Sequence, residues 1–178
     1  MILIGRYLSP FVRRVAVSMK LAGVAYEHRP LSTVDNLDEI KKLNPLGRVP
    51  VLVLDDGEVL VDSNAILDYV DELAGPARAL LPRSGRLRRE ALQAVGLAYG
   101  VLEKGVAAVY ERNKRPKEMV HAPWRDHLDG QVKAGLAALE ARLGDRTWFG
   151  GAKPNQADVT TVIAFDFLSV MLPSVVEK

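Results

Sequence analysis

The chain contains no cysteine. Thiol–disulfide exchange and thiolate nucleophiles both require a protein sulfur, so neither chemistry can belong to this sequence unless a substrate supplies the thiol. Histidine is scarce as well: His28, His121 and His127 are scattered and match no zinc or iron spacing, so no metal site is expected. Charge of one sign is lacking, since 24 Lys and Arg face 22 Asp and Glu. No basic run is interleaved with aromatics as single-strand binders require, and nucleic acid is not an expected partner. The opening Met1-Ile2-Leu3-Ile4-Gly5 lacks the plan of a signal peptide. No uninterrupted apolar stretch reads as long enough to span a bilayer, so no membrane partner is expected and the cytoplasm is the expected location. Gly150-Gly151 is too sparse for a phosphate loop, and no repeat or low-complexity tract occurs.

What is present suffices for a real core, because 178 residues of ordinary globular composition fit one large or two small domains. Residues 1–4 are an apolar run ending at Gly5, and residues 26–31 follow a stop at Gly23, so both read as strands. A helix lies between them. Ser9 suits its N-cap and Pro10 its first position. Apolar Val12, Val15, Val17, Met19 and Leu21, with polar Arg13, Arg14, Ser18 and Lys20, predict an amphipathic body. Residues 35–43 predict a short helix before Pro45. The runs 51–54 and 58–61 flank Asp55-Asp56-Gly57, a hairpin signal. Residues 64–73 then predict a helix stopped by Gly75-Pro76.

Residues 1–75 thus read as β-α-β, α, β-β-α, an α/β domain with a thioredoxin-like sheet. Residues 76–85 read as a linker, with Arg83, Arg86, Arg88 and Arg89 around a solvated helix start. Residues 86–178 read as an all-α bundle. Segments 86–113 and 124–143 carry apolar residues at helical spacing, and 157–172 is apolar on nearly all sides, as in a core helix. Asn155 and Asp158 have the spacing of a capping box at its start.

The most informative stretch is Asn44-Pro45-Leu46-Gly47-Arg48-Val49-Pro50-Val51-Leu52-Val53, followed by Asp62-Ser63. A proline at the mouth of a β-branched run cannot donate to a ladder, so Pro50 marks a strand start. An acid–serine pair opening a helix provides a docking point for an anion and an amine, because helix N-termini carry orphan N–H donors and partial positive charge. Together they outline a peptide-binding notch. Each feature has a plain structural alternative: an edge proline at Pro50, and helix capping at Ser9 and at Asp62-Ser63, where Ser63 suits the cap.

These two stretches, preceded by Ser9-Pro10-Phe11-Val12-Arg13-Arg14-Val15, resemble the glutathione transferase superfamily, and its bacterial serine-type branch in particular. The Asn155/Asp158 box, with Gly150-Gly151 and Pro154 ahead of it, looks like the one that opens the central buried helix of the family's C-terminal domain. Two positions depart from the usual pattern. Asn155 stands where the family more often has Ser or Thr, and Asp62 where it more often has Glu.

The resemblance implies a thioredoxin-like N-terminal domain, a helical C-terminal bundle and glutathione as co-substrate, without a metal. Ser9 would donate to the glutathione sulfur and favour its thiolate, with Tyr7 as a competitor for that role. A cis Val49–Pro50 bond would present the Val49 backbone to the cysteinyl residue. Asp62 and Ser63 would hold the γ-glutamyl amine and carboxylate. Arg48 would take the glycine carboxylate, with Arg13 raising the local potential and Asn36 a further candidate. Phe11, with Tyr99, Leu102 and Tyr110, would line the pocket of a small apolar electrophile. The implied reaction is conjugation of the thiolate to that electrophile. A non-catalytic binding or assembly module is an alternative, as is a glutathione-dependent isomerase or dehalogenase. A homodimer is implied too, each thioredoxin-like domain packing on its partner's helices. Members of the superfamily usually continue through further helices beyond the position of Pro173, so exposed apolar surface is expected near Phe165 and Phe167.

Overall fold

The N-terminal apolar run forms β1 (Ile2–Ile4), which is central to a four-stranded sheet in the computed structural model; the structure describes residues 1–176. β1 pairs in parallel with β2 (Glu27–Arg29) and antiparallel with β3 (Val51–Val53). β3 pairs antiparallel with β4 (Val59–Val61), giving the order β2-β1-β3-β4. Leu3 stands opposite His28 on one side and Leu52 on the other. A parallel pair needs a crossover, and α1 (Pro10–Ala22) supplies it. The β3–β4 pair closes through Asp55-Asp56-Gly57, where Gly57 has φ 91°. α2 (Leu37–Lys41) is short, and α3 (Ser63–Arg78) leaves helical geometry at Gly75, whose φ is 67° and ψ 174°. The expected stop at Gly75-Pro76 is therefore a break, after which the helix resumes to Arg78.

Leu3, Val12, Val15, Met19, Leu52, Ile66 and Val70 form the core of this first unit, which runs from Met1 to Arg83. α1 packs against both β1 and α3, so more than one of its faces is covered. That corrects the simple amphipathic pattern: Arg14 and Ser18, expected on the polar side, are each 1% exposed, while Leu21 is 54% exposed.

A second compact unit starts at Ser84. It contains α4 (Gly85–Asn113), a single 3-10 turn at Lys117–Met119, α5 (Ala122–Leu143), α6 (Gln156–Met171) and α7 (Pro173–Val176). α4 packs against both α5 and α6. At the α4–α6 crossing, a Cβ on Gly105 would lie 2.7 Å from Leu168 Cδ2, so glycine permits this approach. The apolar stretch of α4 is interrupted by Glu103 and Lys104, as expected of a chain without a continuous bilayer-length apolar run. By length and composition α4 is long and apolar enough to cross a membrane, because a helix contacted by two neighbours carries apolar residues around much of its girth.

α6 begins with the expected capping box of Asn155 and Asp158. It buries Ala157, Ile163, Ala164, Phe167 and Leu168, while Val162, Phe165 and Val170 are exposed. The expected apolar exposure is found at Phe165. At Phe167 it is not, since that side is turned into the bundle.

Candidate functional site

Ser9 is the N-cap of α1, with an extended backbone at φ −69° and ψ 121°. Its Oγ accepts from the Val12 N–H at 3.5 Å, the outer limit of a hydrogen bond. That contact uses a lone pair, so the hydroxyl proton is not consumed by capping. Pro10 occupies the start of the helix, and no acidic residue lies in its first turn to offset the partial positive charge there.

The Asn44–Pro50 loop is folded around Asn44, which is buried. Its Nδ2 donates to the Arg48 carbonyl at 2.9 Å and its Oδ1 accepts from the Leu46 N–H at 3.1 Å. Sequence reasoning assigned Asn44 no role, although Asn before Pro is a recognised turn-forming signal. Val49–Pro50 is cis. The loop lies close to the end of β1, where Gly5 has φ 125°. A Cβ at that position would fall 2.6 Å from Val12 Cγ2 and 2.8 Å from Val49 Cβ. Gly5 thus lets α1 and the Val49–Pro50 loop meet beside the strand end. The Arg48 guanidinium lies 5.9 Å from the ring centre of Phe11, which is itself buried.

At the start of α3, Asp62 has φ 71° and ψ 133° and is the one non-glycine residue with positive φ among the described residues. Such conformations cost about 1–3 kcal/mol and concentrate at ligand clamps. Its Oδ1 accepts from the Asn64 N–H at 2.7 Å. Asp62 is therefore the N-cap, which corrects the expectation that Ser63 caps: Ser63 is already the first helical residue. Ser63 is buried, and its Oγ accepts from Arg14 Nη1 at 3.1 Å. The same nitrogen donates to Asn64 Oδ1 at 3.0 Å.

Tyr7 is held on β2. Its ring stacks on His28 with centroids 3.9 Å apart, and its hydroxyl lies 3.0 Å from that of Tyr26. The His28 Nε2 contact at 2.8 Å is to the Gly5 carbonyl, which can only accept, so that nitrogen carries the proton. Burial, and then the Tyr7 hydroxyl, push the Tyr26 phenol well above its ordinary value. Sequence reasoning missed this cluster, which joins residues distant in the chain.

Arg13 is half-buried on α1. Asn36 directs Oδ1 to the Ser32 N–H at 3.0 Å. In the second unit Tyr99 is half-buried, and Tyr110 is exposed with Lys114 Nζ 4.6 Å from its ring centre. Leu102 is fully buried, which corrects its assignment to a pocket wall: it faces the interior of the bundle as a packing residue. The structure thus brings Ser9, Phe11, Arg48, Val49, Pro50, Asp62 and Ser63 into one unit, with Gly5 and Arg14 between the segments that carry them.

The family model described as glutathione S-transferase, N-terminal domain, matches residues 3–78, and that of the C-terminal domain matches residues 122–174. A maleylacetoacetate isomerase of Pseudomonas aeruginosa is 34% identical over 166 residues, covering 88% of this chain and 76% of that protein. The uncharacterised GST-like protein YibF of Escherichia coli is 35% identical over 145 residues, covering 82% of this chain and 71% of its own length. Among solved structures, a glutathione S-transferase from Methylobacterium radiotolerans in complex with glutathione sulfonate superposes with a TM-score of 0.90 at 29% identity, covering 97% of this chain and 81% of that one. A glutathione transferase family member from Pseudomonas fluorescens with bound glutathione gives 0.83 at 31% identity, covering 97% of this chain and 84% of that one. With a matching family model in each unit and relatives above 30% identity along most of its length, the chain belongs to the glutathione S-transferase family.

Proposed function

We propose that this protein binds glutathione in the notch made by Ser9, the Arg48–Pro50 loop and Asp62–Ser63, and transfers its thiolate to a small apolar electrophile. The observation that carries this reading is that Ser9 and the Asp62–Ser63 pair stand at the N-termini of α1 and α3, two helices packed together in one unit. A free thiol with a pKa near about 8.5 is mostly protonated at neutral pH. The Ser9 hydroxyl donates to the sulfur, and the N-terminus of α1 adds partial positive charge. Each unit of lowering corresponds to about 1.4 kcal/mol of preference for the thiolate.

The Val49 backbone pairs with the cysteinyl residue as an added strand. The Asp62 carboxylate faces the γ-glutamyl amine, the Ser63 hydroxyl and the α3 N–H groups face its carboxylate, and Arg48, exposed on its loop, faces the glycine carboxylate. The structural relatives from Methylobacterium radiotolerans and Pseudomonas fluorescens hold glutathione sulfonate and glutathione, which supports the ligand.

The test is thiolate ultraviolet absorbance of bound glutathione titrated with pH, on the intact protein and on Ser9→Ala. The expected result is a depressed thiol pKa that returns toward the free value in the variant. Saturable binding without depression would favour a non-catalytic module, and absence of binding would refute the site. A second reading, glutathione-dependent isomerisation, is favoured by the similarity to the maleylacetoacetate isomerase. Conjugation consumes one thiol per turnover, whereas isomerisation expels the thiolate again, so titration of free thiol during turnover separates them. A cytoplasmic homodimer remains part of the proposal; sedimentation at micromolar concentration finding only monomer would remove the dimer from it.

A further inference from the structure

We infer that Arg14 is a positioning residue of this site: from inside the first unit it holds Ser63 so that the hydroxyl proton is presented to the γ-glutamyl carboxylate of glutathione. The inference rests on the proposed reading of Asp62–Ser63 as the γ-glutamyl subsite. Arg14 is 1% exposed, which is unusual for a guanidinium, since burial of a charge is costly unless its donors are satisfied. Its Nη1 donates at 3.1 Å to Ser63 Oγ and at 3.0 Å to Asn64 Oδ1. A guanidinium has donors only and stays protonated, so it fixes the polarity of whatever it touches. Toward Arg14, Ser63 Oγ must accept. Its single proton is then directed away from Arg14, which suits a hydroxyl that must donate to an incoming carboxylate.

The Asn64 amide is oriented with its oxygen toward Arg14, so the turn that opens α3 is held at consecutive side chains. Asp62 Oδ1 accepting from the Asn64 N–H fastens the same turn from its other side. A hydroxyl polarised by an adjacent cation in a region of low dielectric is also a stronger donor than one in water. Arg14 lies on α1, the helix that Ser9 caps, so one helix bears both the sulfur-facing hydroxyl and the group that aims the carboxylate-facing one.

The test compares glutathione with an analogue whose γ-glutamyl group is replaced by γ-aminobutyryl, which keeps the amine and lacks the α-carboxylate. Calorimetric affinities for both ligands are measured on the intact protein, Arg14→Lys, Arg14→Met, Ser63→Ala and Arg14→Lys combined with Ser63→Ala. Arg14→Lys and Arg14→Met are each expected to weaken glutathione roughly tenfold or more, the worth of one hydrogen bond to a charged group, and the analogue by less than about twofold. Ser63→Ala is expected to give the same selective loss, with no further loss in the double variant.

Proportional weakening of both ligands, or additive losses in the double variant, would overturn the role of Arg14, because a merely structural residue leaves the affinity ratio unchanged. Unaltered glutathione affinity in Ser63→Ala would instead overturn the subsite reading itself. A readout without substitution covers variants that fold poorly: the side-chain nitrogen resonance of Arg14 in the intact protein is expected to shift with glutathione and not with the analogue. An equal response to both ligands would count against the inference.

Discussion

Replacing Asp158 with alanine removes two acceptors at once. Oδ1 accepts from the Phe149 N–H at 2.9 Å and Oδ2 from the Asn155 N–H at 2.8 Å, and the residue is 7% exposed. The Asn155 contact is half of the capping box and is worth about 1 kcal/mol. The Phe149 contact fastens the loop ahead of α6 with a carboxylate acceptor, which adds about 1.5–3 kcal/mol. Asp158→Ala is therefore expected to destabilise the helical unit by about 3 kcal/mol. Asp158→Asn should fall between, because its amide oxygen keeps one donor while its NH2 group confronts the other. Both tryptophans of the chain, Trp124 and Trp148, lie in the second unit, so their emission reports its unfolding separately. Urea titration followed by that emission should show the midpoint falling by about 1–3 M for an m-value of roughly 1–3 kcal/mol/M. A fall of less than about 0.2 M in Asp158→Ala would refute the reasoning.

Glu111 offers a pH-dependent counterpart. Its carboxylate accepts from the His121 N–H at 3.0 Å and from Arg115 Nε at 2.7 Å, and these contacts, His121 first, hold it below the ordinary glutamate value of 4.5. A depressed folded value means that the stabilisation is complete above the ordinary value and is lost as pH falls through the lower folded one. The stability difference between the intact protein and Glu111→Gln should thus be present at neutral pH and shrink in acid; a difference that stays constant with pH would exclude the linkage. Gly5→Ala places a Cβ 2.6 Å from Val12 Cγ2 and 2.8 Å from Val49 Cβ at a φ of 125°. It should cost about 1–3 kcal/mol and weaken glutathione binding by displacing Val49. Unchanged melting together with unchanged affinity would show that the contact is not restrictive.

What could be read along the chain was whatever depends on a few neighbouring residues. Ser9-Pro10 starts α1, the Asn155/Asp158 box starts α6 and Asp56-Gly57 turns the β3–β4 hairpin, because caps and turns are hydrogen bonds closed within a handful of positions. The order of strands and helices, and the placing of Pro50 before β3 and of Asp62-Ser63 at the start of α3, were legible for the same reason. Burial was not. Arg13 and Arg14 are adjacent and chemically identical, yet Arg14 is enclosed because α1 is covered by β1 and by an α3 that comes far later in the chain. Phe165 and Phe167 differ likewise by which side of α6 meets the bundle. The Tyr7, Tyr26 and His28 cluster, and the choice of Asp62 over Ser63 as cap, also required segments distant in sequence or a turn of unusual backbone to be in place. The sequence by itself determined the elements and the chemical groups at their ends, which are local hydrogen-bonding problems. Only the tertiary structure decided which side chains lose their water, and it is this loss that turns Arg14 from a surface charge into the buried donor facing Ser63.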